Sequence, residues 1–310
     1  MAQLPWMSEL APSNIADWDH PSVLQPSGVV QRVGLSYEDD YDSKVTWSDR
    51  FADFLALPSV EKTTGLVIGT WWELDDGNGP VDEVVESLVS AAPQLPNLRA
   101  LFIGDIMSEE SEISWIEQDD LSPLLSAFPN LQHFAIRGAN GLSLGSCQHA
   151  QLKTLVIQSG GLANRVVQEI FHGKLPALEH LELWLGSEWY GGDVTLTDLE
   201  PLLNDELFPQ LKVLALRDCS FADDLAIALS QAPIINRLEV LDLSLGNLGD
   251  EGAKALLACP AIKQLKLLDL HYHFIDSELA KQFKHLGIEV DISEPQDPNR
   301  HDRRYIAVSE

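Results

Sequence analysis

An α/β solenoid, with a parallel sheet lining one side and helices or irregular segments on the other, is predicted by three features of this sequence. First, a triad of aliphatic or aromatic residues at the spacing L-x-x-L-x-L recurs along the chain. It is found at Leu98-Leu101-Ile103, Leu131-Phe134-Ile136, Leu152-Leu155-Ile157, Leu178-Leu181-Leu183, Leu211-Leu214-Leu216, Leu238-Leu241-Leu243 and Leu265-Leu268-Leu270. Second, the segments between triads carry apolar residues at helical spacing, such as Val166, Val167 and Ile170, or Leu225, Ala228 and Leu229. Third, four triads are entered through Pro-x-Leu, at Pro96, Pro129, Pro176 and Pro209. Proline there ends the preceding helix and fixes an extended approach to the strand.

One strand, one turn and one helix in roughly 20–30 residues is the leucine-rich-repeat unit. It is clearest in LEVLDLSLGNLGDEGAKALL, residues 238–257, where Asp250 is a candidate helix N-cap. A single unit cannot bury its apolar side, so neighbouring copies must stack. The expected architecture is a leucine-rich-repeat solenoid, or horseshoe, with a concave sheet of about nine strands. Residues 1–28 read as an irregular N-terminal arm, with Trp6 and Trp18 placed to cap the first repeat. Residues 29–292 form the solenoid and 293–310 a C-terminal tail.

Early elements follow the same logic. Val29 to Ser36 is a first strand, and Ser48 caps a helix over about residues 48–56 that turns Phe51, Phe54 and Leu55 inward. Leu66 and Ile68 begin the next strand. Val81, Val84, Val85, Leu88 and Val89 fall at helical spacing after it. Between Phe134 and Leu155 there is no room for a full helix, so GANGLSLGSCQHA crosses as irregular chain. Two longer intervals carry insertions, 107–120 and 187–198, of the kind that map to a rim and often carry function. A weak last strand covers 287–292. Arg300, Arg303 and Arg304 then form the densest basic spot in the chain, suited either to docking on an acidic patch of the solenoid or to a loose tail.

The net charge of −28 narrows the partners. Such a surface repels nucleic acid and anionic lipid, both of which are held through Lys and Arg. Neither is an expected partner; a protein or peptide is, and a basic one if it is charged. Cys147, Cys219 and Cys259 lack paired spacing, which fits a reducing compartment. The N-terminus lacks the basic and apolar regions of a signal peptide, and the expected location is cytoplasmic.

In L-x-x-L-x-L the leucines point inward and the residues between them line the concave sheet. Its outward row is mostly apolar early on and polar later. Glu182, Trp184, Arg217, Asp218, Asp242, Asp269, His271 and Tyr272 are the candidate binding residues, an aromatic–Arg–carboxylate mixture typical of interaction hot spots. Arg217 could equally do no more than balance Asp218 and Asp242. Asp269, His271 and His273 alternate along one strand and form a candidate metal set, with Asp242 beside them. Against that, position nine of the repeat usually turns inward, so His273 can instead satisfy backbone groups. Without a catalytic motif, the chain reads as a non-catalytic scaffold needing no cofactor. A metal protein or enzyme centred on Asp269, His271 and His273 is the alternative.

The stretches LRALFIGDI (98–106), EISWIEQDD (112–120), LEHLELWLGSEWYGG (178–192), LDLSLGNLGDEGA (241–253), LDLHYHF (268–274) and RYIAVSE (304–310) resemble a bacterial family of stand-alone leucine-rich-repeat proteins, over most of residues 45–310. The resemblance implies ribonuclease-inhibitor-like repeats. It also implies genes encoded beside ATP-grasp and radical-SAM-type proteins, and hence a helper or recognition subunit for peptide or small-molecule modification.

Overall fold

The computed structural model describes residues 15–17, 30–35, 45–72, 79, 81–297 and 304–308. The expected caps Trp6 and Trp18, and Arg300 and Arg303 of the tail, lie outside these residues.

One parallel sheet runs through the molecule, its strands in chain order: β1 (Ile15–Asp17), β2 (Val30–Val33), β3 (Gly65–Ile68), β4 (Ala100–Ile103), β5 (His133–Arg137), β6 (Thr154–Gln158), β7 (His180–Gly186), β8 (Val213–Cys219), β9 (Val240–Asp242), β10 (Leu267–Asp269) and β11 (Glu289–Asp291). Among the described residues there are eleven strands, more than the expected nine. Part of the excess is β1, which pairs Ile15 with Val30 inside the stretch expected to be irregular.

Register follows the triads. Leu181, Leu214, Leu241 and Leu268 are paired in succession across β7–β10, and all are fully buried. Each such leucine contributes about 1.5–3 kcal/mol of burial, obtained only because the next repeat covers it. Helices lie at Trp47–Leu55, Asp82–Ala91, Ser122–Ala127, Asn164–Phe171, Glu200–Leu203, Ala222–Gln231, Asp250–Ala258 and Ser277–Phe283. The interval between β5 and β6 has none, and Leu142 and Leu144 fill the core there from irregular chain.

Two caps differ from expectation. The first helix begins at Trp47, capped by Thr46 in a reciprocal box with Asp49, and Ser48 instead bonds Glu83 on the next helix. Asp250 is the first residue of its helix. The backbone N–H groups of Gly249 and Gly252 donate to Asp223 of the preceding repeat, so capping there is done by a neighbour.

Candidate functional site on the concave face

Apolar side chains predominate in the early half of the concave row, alongside Arg32, His133 and Thr154. Val30, Val67, Ala100, Phe102, Ala135 and Val156 form a second apolar cluster, all buried. From β7 onward the row turns polar. Position five of the repeat holds Glu182, Ala215, Asp242, Asp269 and Asp291 in direct lateral register. Beside it, position seven holds Trp184, Arg217, Ser244 and His271.

Arg217 is the hub. Its guanidinium donates to Glu182 at 3.2 Å and to the Ser244 hydroxyl at 2.9 Å, and lies 3.4 Å from Asp242 Oδ2. The same group sits 5.0 Å from the centre of the Trp184 ring, a cation–π contact, while the indole N–H donates to Glu182 at 2.7 Å. Arg217 thus pairs directly with Glu182 and Asp242 and acts on Asp218 only through its charge. Glu182 and Trp184 are only 5% and 6% exposed, so they hold Arg217 in place from beneath the surface. Burial pushes the Glu182 carboxyl up, but His180, at 3.6 Å, and Arg217 outweigh it and leave it below the usual range. Asp242 has less help. Burial lifts its pKa to about 6, with Asp269 adding to the rise and Arg217 opposing it.

Asp242, Asp269 and Asp291 repeat one local device. Each accepts the backbone N–H two residues on, from Ser244, His271 and Ser293, at 2.9–3.0 Å. This turn ends each strand and leaves part of each carboxylate facing the concavity. His271 Nδ1 pairs with Asp269 at 2.7 Å, and that bond raises the imidazole pKa.

Three expected site residues lie elsewhere. Asp218 and Tyr272 occupy position eight, where the backbone is left-handed (φ 52° and 58°), as it is at Leu245 and Glu294 in the same position. That turn directs both side chains away from the concave row, Asp218 near the end of β8 and Tyr272 past the end of β10. There they meet the C-terminal segment. Asp218 Oδ1 accepts the Val308 N–H at 2.9 Å, and the Tyr272 hydroxyl donates to the Tyr305 carbonyl at 3.4 Å. Ala307 N–H reaches the Leu245 carbonyl at 2.8 Å, and Arg304 pairs with Asp223 at 2.7 Å. His273 turns inward, only 1% exposed, its Nδ1 accepting the Ile275 N–H at 3.0 Å. A metal set containing His273 is therefore excluded by direction, since its ring is spent on backbone groups. Asp291, absent from the expected set, stands in the row beside Asp269 instead. The shared pattern of LEVLDL, LKLLDL and GIEVDI was the signal that marked it, an aspartate at the same place in three successive repeats.

All three cysteines are buried and free. Burial pushes the Cys147 thiol up to about 12, which leaves it unreactive. Among the described residues no helix is long and apolar enough to cross a membrane.

A single sheet of parallel strands in chain order, with leucines stacked behind it and helices or irregular chain returning outside, defines a leucine-rich-repeat solenoid. No protein-family model matches the chain, and no curated protein does. Among solved structures, a structural-genomics target from Bacteroides fragilis superposes with a TM-score of 0.82 at 33% identity, over 93% of this chain and 79% of that one. The chain belongs to the family of that B. fragilis protein. An internalin from Listeria monocytogenes matches with a TM-score of 0.37 at 14% identity, over 75% of this chain and 68% of its own.

Proposed function

We propose that this protein is a non-catalytic scaffold that grips a protein or peptide on the concave face of β8–β11. The carrying observation is the lateral row Asp242, Asp269 and Asp291, flanked by the half-buried Val213, Val240 and Leu267 on the row beside it. Carboxylates beside aliphatic area suit a partner offering a Lys or Arg next to apolar side chains. The hub of Glu182, Trp184 and Arg217 keeps this surface rigid, which lowers the ordering cost of binding. The gene setting implied by the family resemblance supports a role as helper subunit in a modification system, acting in the cytoplasm.

The test is affinity for the partner that co-purifies with the untagged chain. Leu267→Ser and Asp242→Asn, each verified as folded by circular dichroism, should weaken it at least tenfold, roughly the loss of one anchor. Unchanged affinity in both would remove the concave face from the function.

A further inference from the structure

The acidic row continues to the last strand, and its far end differs from the rest. Asp269, His271 and Asp291 each offer one ligand atom, all within 4.8 Å of one another. Two of the three come from different strands held in register by the β10–β11 ladder, Asp269 opposite Asp291, and the third lies two residues along β10's path. Like charges directly opposite on paired strands repel. Arg217 relieves that at the Glu182–Asp242 end, where its bonds are already committed. At the other end, among the described residues, neither Asp269 nor Asp291 forms an ion pair with any Lys or Arg, and Asp269 pairs only with His271. The group thus has two carboxylates and one imidazole, with no Lys or Arg paired to it among the described residues.

We propose that Asp269, His271 and Asp291 form a binding site for one divalent transition-metal ion, with Zn²⁺ the best fit to a nitrogen-and-two-oxygen donor set. Ligand atoms of a Zn²⁺ site lie about 2.0–2.2 Å from the ion, so binding would draw together the exposed Asp291 and half-buried Asp269 carboxylates, now held by the Ser293 and His271 N–H groups. Three protein ligands leave a coordination position open toward the concavity. Asp242, held by Arg217 and Ser244, stays outside the set and available to a partner. The proposal shares Asp269 and Asp291 with the row read above as the partner surface, but metal titration of the chain without a partner reads it alone, so its failure leaves the scaffold reading standing.

The experiment is titration of the chelator-treated full chain with Zn²⁺, read by calorimetry and native mass spectrometry, and with Co²⁺, read by its visible absorption. One ion per chain is expected, with His271→Ala and Asp291→Asn each weakening it at least tenfold. His172→Ala, at an exposed histidine outside the set, should leave it unchanged. Absence of binding at 1 mM metal, on the order of the weakest dedicated metal sites, would overturn the site. So would one-to-one binding that survives both substitutions.

Discussion

Arg217 carries more of the concave face than its single charge suggests. Its guanidinium satisfies Glu182, approaches Asp242 and covers Trp184, all at the polar turn of an otherwise aliphatic row. Replacement by alanine strands the buried Glu182 and the half-buried Asp242 carboxylates, and chemical denaturation should report a loss of about 3 kcal/mol. Arg217→Lys should recover only part of it, because an ammonium cannot reproduce the planar fork. Glu182, Trp184 and Arg217 were legible as one cluster from their places in the triads. The mispairing of Arg217 with Asp218 has a physical origin: the left-handed turn at position eight is adopted by Asp218, Leu245, Tyr272 and Glu294, and no glycine announces it.

Asp218 makes a second prediction, one that depends on pH. Burial lifts its carboxyl to about 8, opposed by the Val308 and Ala307 N–H groups and by Arg217. In the unfolded chain the group ionises near pH 4, whereas in the folded chain it keeps its proton until about pH 8. Between those values the folded state binds the extra proton, so this residue's contribution falls as pH rises through that window and is constant above it. Asp218→Asn keeps an acceptor for Val308 and removes the ionisation. Its melting temperature should therefore exceed the parent's at pH 8 and match it near pH 4. A difference that does not change with pH would contradict the account.

At the scale of elements, the C-terminal segment behaves as a strap. Tyr305, Ile306, Ala307 and Val308 lie against the rim of the last repeats, with Ile306 only 9% exposed and Arg304 reaching the Asp223 cap of the neighbouring helix. Removing residues 304–310 should cost roughly 2–4 kcal/mol, from lost burial of Ile306 and the released hydrogen bonds. It should also abolish the pH dependence attributed to Asp218, which would then face water. Urea denaturation of the truncated chain at pH 5 and pH 8 checks both. The basic tail and the acidic solenoid were both visible in the sequence. Which face the tail would meet was not, because Asp218 and Tyr272 belong by spacing to the sheet and reach the rim only through their backbone conformation.

A glycine pair shows a similar limit. Gly186 ends β7 with φ at 67° and bridges to Gly161, where a Cβ would run into the Gly160 carbonyl. Gly186→Ala should therefore destabilise the chain by more than about 1 kcal/mol and loosen the 187–198 insertion, measurable as faster amide exchange there. Glycines 160, 161, 191 and 192 are loop formers by residue type alone. Their close approach is a tertiary fact.

The whole molecule is a stack of near-identical units, and this is why its architecture was the most legible part. Seven triads in register dictate adjacent parallel strands, since no other arrangement buries every leucine at once. The terminal strands were harder to read: β1 is three residues long and β11 lacks a leucine triad. The same repetition spreads function along the sheet, so the chemistry of a face is set by what each repeat places at positions three, five and seven. Here that progression runs from buried valine and alanine to a row of aspartates.

The central claim is that this later half of the concavity is where the partner sits. A photo-crosslinking residue at Leu267, on the concave row of β10, and another at the exposed Val89 on a helix of the other side test it most directly. The account predicts that the co-purifying partner is captured from position 267, that capture is lost when Asp269→Asn is added, and that position 89 gives no adduct. Capture from position 89 and none from position 267 would contradict it.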